Sequence, residues 1–163
     1  MRSDGRDFAR FYEAEREPMA RTLLVIGGDA EAACDAVAEA FSRAYERWSR
    51  VAAMGSPMGW VYQVALNDLR RRLRRRAHEG RVLRRAHVEP VPPAEVDPEL
   101  WAAVAALPLR QREAIVLRYV GDLTEREVAT VLGISEGAAS HALASARRRL
   151  ADDLNDREEA PSS

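Results

Sequence analysis

Apolar residues recur at three- and four-residue steps along most of the chain, and no stretch alternates apolar and polar positions as a half-buried strand does. The clearest case lies between Asp29 and Trp48. There Ala33, Val37, Ala40, Phe41, Ala44, Tyr45 and Trp48 form one stripe, while Asp35, Glu39, Arg43, Glu46 and Arg47 take the other faces. Asp29, which follows Gly27-Gly28, suits the N-cap of this helix. Ahead of it, Phe8, Phe11, Tyr12, Met19, Leu23 and Leu24 outline a helix from about Asp7 to Val25. Pro18 should kink or divide that helix, because proline has no backbone N–H to donate. Behind it, Ser56-Pro57 reads as an N-cap with proline at the first helical position. Val61, Val64, Ala65, Leu69 and Leu73 then make the seam of a third helix. This helix ends in a basic run, Arg70, Arg71, Arg72, Arg74, Arg75 and Arg76. Three helices with this much apolar surface can share one small core.

From His87 to Val96 the periodicity stops in a polar, Pro-rich stretch. The expected organisation is therefore a helical domain over residues 1–86, a linker over 87–96 and a second helical domain over 97–153. An acidic tail over 154–163 is expected to be disordered. Asp97-Pro98 repeats the cap-then-proline signal. Within the second domain, Thr124 with Glu127 makes a capping box, and Val128, Ala129, Val131 and Leu132 supply an apolar face. Gly133 permits a tight turn, Ile134 fills the core and Ser135 caps the next helix. Ala139, Leu143, Ala146 and Leu150 give that helix a buried stripe. The spacing is that of a helix-turn-helix, whose second helix enters a DNA major groove. Two packed helices that touch no DNA have the same spacing.

Charge changes the picture more than composition does. The 163 residues carry a net charge of -1, yet residues 41–86 hold 12 Arg against 3 acids, and both flanks are acidic. Every basic residue apart from the 3 His is Arg. A basic block between acidic flanks is an anion-binding surface, and Arg suits phosphate; GC-rich codon usage also yields an Arg- and Ala-rich chain. One cysteine, Cys34, makes no internal disulfide, and with scattered histidines it makes no zinc site. No apolar run spans a bilayer, and a cytoplasmic location is expected. No nucleophile–base set or phosphate-binding glycine loop is present, so neither catalysis nor a metal or other cofactor is expected.

The string Leu107 to Tyr119, followed by Leu123 to Ala129 and Leu132 to Gly137, resembles region four of bacterial RNA polymerase sigma factors. The short extracytoplasmic-function group is the nearest in pattern. Asp35 to Trp48, Trp60 to Asn67 and Arg72 to Arg75 resemble their region two, in the right order. The resemblance implies an all-α fold of two small helical domains, a three-to-four-helix bundle and a helix-turn-helix unit, joined by the Pro-rich linker. It implies promoter-directed initiation with two partners, core RNA polymerase (the β′ clamp and the β flap) and promoter DNA. An anti-sigma factor or a co-activating DNA-binding protein would be a further partner. Core binding would fall to Asp35, Glu39, Arg43, Glu46 and Arg47. Ser56, Trp60, Tyr62, Gln63, Asn67, Arg70, Arg71, Arg74 and Arg75 would hold and melt the -10 element, with Trp60 and Tyr62 placed to stack on bases. Core packing is the alternative for Trp60. The -35 element would meet Thr124, Ser135, Glu136, Gly137, Ser140, His141, Ser145, Arg147 and Arg148.

The chain departs from the family pattern in two places. Ala38 stands where the core-binding helix commonly has Gln. Ala138, Ala139, Ser140, His141 and Ala142 stand where the recognition helix often has Thr-Val-Lys-Ser-Arg. Fewer cations there should weaken the -35 contact. A DNA-binding regulator that never meets core polymerase, and a sigma-like decoy that captures a protein, stay open on the residues alone.

Overall fold

The computed structural model describes residues 2–82 and 97–160. The linker expected over 87–96 and the last three residues of the expected tail lie outside them. Eight helices make up the described residues: α1 (Arg2–Gly27), α2 (Ala30–Glu46), α3 (Trp48–Ala52), α4 (Pro57–Val82), α5 (Pro98–Ala105), α6 (Leu109–Tyr119), α7 (Glu125–Leu132) and α8 (Glu136–Glu159). The chain separates into two compact units, Met1–Pro90 and Val91–Ser163.

In the first unit, α2 lies between α1 and α4. Its inner face is almost all alanine: Ala32, Ala33, Ala36, Ala40 and Ala44 are buried, with Val37 and Phe41 beside them. Small side chains let the neighbouring backbones come close, and Val61, Ala65, Leu66 and Leu69 of α4 complete the core. Asp29 caps α2 as expected, its carboxylate accepting from the Ala32 N–H at 2.9 Å. Ser56 caps α4 in the same way, accepting from the Gly59 N–H at 3.0 Å.

Two expectations fail here, and Pro18 does not divide its helix. Helix α1 runs unbroken through Pro18. Apolar residues on both sides of the proline, Phe8 and Phe11 before it, Met19, Leu23 and Ile26 after it, pack into the same unit and keep both halves in place. The stripe from Ala33 to Trp48 is not one helix. Arg47 leaves helical geometry (φ -124°, ψ 23°), and α3 begins at Trp48. The break turns Trp48 beneath Phe8 and Phe11, with ring centroids 5.3 and 5.1 Å away. Tyr45, assigned to that stripe, is 63% exposed and only leans on Phe8.

In the second unit, α8 packs against α5, α6 and α7. Trp101, Leu117, Val128, Leu132, Leu143 and Ala146 are among its buried residues. The α7–α8 turn follows local chemistry closely. Thr124 and Glu127 form the reciprocal capping box. Gly133 adopts φ +66°, and the pair Ile134 N–H to Ala129 C=O and Gly133 N–H to Thr130 C=O closes a Schellman motif. Arg110 donates to the Leu132 carbonyl at 3.2 Å, so α6 also holds the end of α7. The expectation of a disordered tail from residue 154 fails: α8 continues to Glu159. Leu154 is half-buried, and Arg157 pairs with Asp153 one turn back at 3.1 Å.

Phe41 is 2% exposed and meets Phe8, Phe11 and Tyr12. Phe41→Ala should cost about 3–5 kcal/mol in denaturant melts. A loss under ~1 kcal/mol would mean that α2 is not seated against α1 as described.

Candidate nucleic-acid and polymerase interfaces

The basic run of α4 is far less free than its sequence suggests. Asp68 lies one turn before it and is buried, its side chain only 3% exposed. It takes Arg71 through Oδ1, and Arg72 through Oδ2 at 2.5 Å from Nε. The bond to Asp68 raises the Arg72 pKa above its ordinary value, with burial opposing. Arg72 also reaches across to Asp35 of α2, at 3.4 Å. Arg76 pairs with Asp29 and, at 3.3 Å, with Glu31 at the start of α2. These contacts join the N-terminal end of α2 to the C-terminal part of α4, so the two helices run antiparallel. Arg70 donates to the Asn67 side-chain carbonyl at 3.2 Å. Within the run, Arg74 and Arg75 are exposed and have no partner among the described residues.

Residues expected at the -10 element separate accordingly. Asn67, Arg71, Arg74 and Arg75 are exposed, and Ser56, Trp60, Gln63 and Arg70 are half-buried. Asn67, Asp68, Arg71 and Val64 of α4 line a small cleft with Arg43 of α2. Tyr62 must be removed from the stacking set. It is 2% exposed, and its hydroxyl donates to Thr22 Oγ1 of α1 at 3.2 Å, while Thr22 donates to the Pro18 carbonyl at 2.8 Å. Burial pushes its hydroxyl pKa up, although the bond to Thr22 works the other way. Tyr62 is a core residue with a satisfied hydroxyl and presents no face to a base.

The residues expected to bind core polymerase sit at the surface of α2 and at its C-terminal end. Asp35 is tied to Arg72, and Glu39 accepts from Arg43 one turn on, at 2.8 Å. Glu46 and Arg47 are exposed with no partner among the described residues.

In the second unit, the exposed side of α8 carries Gly137, Ser140, His141, Ala144, Arg147 and Arg148 at three- and four-residue intervals, opposite the buried Ala139, Leu143 and Ala146. Ser145 is half-buried. Four expected contacts are engaged within the protein, Arg147 through Tyr119 and Glu125 and three others. The Thr124 hydroxyl accepts from the Glu127 N–H and donates to its carboxylate at 3.0 Å. Ser135 caps α8, accepting from the Ala138 N–H at 3.1 Å. Glu136 pairs with Arg126 of α7 at 3.0 Å. Thr124 and Ser135 thus set helix ends, and Glu136 is met by an opposite charge. Sequence analysis missed Tyr119, whose hydroxyl accepts from Arg147 Nε at 2.8 Å. Its place at the apolar end of a helix, next to Arg118, was the only local signal.

The first helical unit carries two exposed arginines on α4 with no partner among the described residues, and the second is built on a helix-turn-helix. The family model for sigma-70 region 2 matches residues 11–79, and that for sigma-70 region 4 matches residues 98–150. Together they take in three quarters of the chain. The extracytoplasmic-function RNA polymerase sigma factor SigM of Bacillus subtilis is 29% identical, over 85% of this chain and 90% of its own. The RNA polymerase sigma-E factor of Streptomyces antibioticus is 26% identical, over 93% of this chain and 87% of its own. A probable RNA polymerase sigma factor of Xanthomonas campestris, RfaY, is 29% identical over 90% of this chain, which spans only 40% of that longer protein. In fold, the chain resembles the sigma factor RpoE of Bartonella quintana, solved with the anti-sigma factor NepR. The TM-score is 0.77 at 22% identity, over 91% of this chain and 97% of that one. CnrH, solved with the cytosolic domain of CnrY, gives a TM-score of 0.66 at 23% identity, over 93% of this chain and 90% of that one. The chain belongs to the sigma-70 family, in its extracytoplasmic-function group. Among the described residues no helix is long and apolar enough to cross a membrane.

The pairing pattern has a measurable consequence. Replacing Arg74 and Arg75 by Ala should lower the salt slope of DNA binding by up to about 2, at ~0.9 per phosphate contact. Arg72→Ala should leave that slope unchanged and lower the melting temperature instead. A slope loss of about 0.9 in Arg72→Ala would show that Arg72 meets phosphate rather than Asp68 and Asp35.

Proposed function

We propose that this chain directs core RNA polymerase to promoters by holding the -10 element with its first unit and the -35 element with its second. The observation that carries this reading is the ordered pair of sigma-70 regions, each with its exposed polar surface. In the first unit the basic end of α4 supplies Arg74 and Arg75 as free cations for the phosphate backbone. The cleft of Arg43, Asn67 and Arg71, floored by Asp68, offers amide and guanidinium groups to the edge of an extruded base. Trp60, half-buried at the start of α4, keeps part of its ring open for stacking on the displaced strand. Core polymerase would take the polar face of α2, where Glu46 and Arg47 have no partner to give up.

In the second unit α8 would lie in the major groove. Ser140 and His141 face the base edges, and Arg147 and Arg148 face the backbone. The first three turns of α8 hold no lysine or arginine, so specific binding depends on both units joined through polymerase. The protein would work in the cytoplasm, as an initiation factor rather than a catalyst. Since the structural relatives RpoE and CnrH were solved with NepR and with a domain of CnrY, an anti-sigma protein is an expected partner.

Gel shifts of a pool of genomic fragments, with and without core polymerase, test the reading. Specific complexes should form only when core is present. Specific binding by the chain alone would make it a conventional regulator. Failure to bind core at all would make it a decoy that captures some other protein.

A further inference from the structure

Tyr119 closes α6 with its side chain 57% exposed, an unusual place for a large aromatic residue that no core position requires. Two cations converge on it. The guanidinium carbon of Arg118 lies 5.4 Å from the ring centroid, and that of Arg147 lies 5.5 Å away. Arg147 comes from α8, and its Nε donates to the Tyr119 hydroxyl at 2.8 Å. Its Nη2 lies 4.0 Å from Glu125 Oε1, at the first residue of α7. One guanidinium is therefore held from two sides by two other helices. Its Nη1 has no partner among the described residues.

An exposed staple of this kind adds little to folding stability, because water screens it and two long side chains must be ordered to form it. Its value is higher where the ordered group has work to do in binding. Arg147 lies on the exposed stripe that runs through Gly137, Ser140, His141 and Ala144, and no lysine or arginine precedes it on α8. A recognition helix with so few cations depends heavily on how well each is placed. A free arginine side chain samples many rotamers and loses that freedom on meeting a phosphate. One already fixed in plane loses less.

We propose that Tyr119 is a positioning residue for DNA binding. Its hydroxyl holds the Arg147 fork through Nε, so that Nη1 meets a backbone phosphate with its direction already set. Glu125 braces the second nitrogen, and the cation of Arg118 adds to the same positive corner. The inference rests on the reading of α7 and α8 as the -35 reader.

A double-mutant cycle on the full chain assembled with core polymerase tests it, with binding to a genomic fragment retained in the gel shifts followed by fluorescence anisotropy across a salt series. Arg147→Ala should weaken binding and lower the salt slope by about 0.9. Tyr119→Phe keeps the ring and removes only the hydroxyl. It should weaken binding by about two- to tenfold with the slope unchanged. In the Arg147→Ala background, Tyr119→Phe should have no further effect, whatever it does to the melting temperature. An equal loss in both backgrounds, or a change in melting temperature alone, would overturn the positioning role while leaving the DNA reading intact. A wild-type complex with core polymerase that binds no fragment, or binds with no salt dependence, would overturn that reading and the inference with it.

Discussion

The close antiparallel approach of α2 and α4 is the constraint on which the first unit depends. Alanine on the inner face of α2 permits it, and three carboxylates, the N-cap Asp29 and Glu31 and Asp35 of α2, meet Arg76 and Arg72 across the seam. Buried Asp68 completes the arrangement by holding Arg71 and Arg72 on α4 itself. Removing a buried carboxylate would leave its arginines without a counter-charge, whereas the exposed pairs contribute less. The outcome is a sorting of the basic run. Arginines that face α2 are structural, and those that face away are available to a nucleic acid. A helix surface that is basic all round would bind phosphate with no preferred orientation; this one presents a direction.

The second unit reaches its geometry by other means. The capping box at Thr124, the left-handed Gly133 and the Schellman bonds fix where α7 ends and α8 begins, and Arg110 secures the same turn from α6. On the proposed reading, α8 is thereby aimed before it meets DNA. Its reading surface is chemically modest, with small residues, one histidine and then arginines. A rigid frame with weak contacts suits a module that binds within a larger assembly, where tethering raises the effective concentration of the second contact.

What could be seen in the chain beforehand divides along the same physical line. Caps, the Gly133 turn and the buried stripe of α8 are decided by neighbours within a few residues, and the sequence pattern displays them. The family resemblance gave the order of the units. Tyr62 was misjudged because its partner, Thr22, is forty residues away and on another helix. Arg72 and Arg76 looked free because Asp35 and Asp29 approach them only in the fold. Trp48 appeared to extend the α2 stripe because helical periodicity carries across a single non-helical residue. The reach of α8 to Glu159 was hidden by acidic composition, which predicts disorder unless a residue such as Leu154 and an intrahelical ion pair oppose it. Tyr119 escaped notice because its role belongs to a pairing across α6 and α8.

On the proposed reading, both units act together through core polymerase at promoters. Run-off transcription from a genomic fragment library, with purified core polymerase of the source organism, tests it most directly. Start sites should appear only when this chain is added, each preceded by two sequence elements at constant spacing. An unchanged set of start sites, with core polymerase failing to retain the chain in a pull-down, would contradict it.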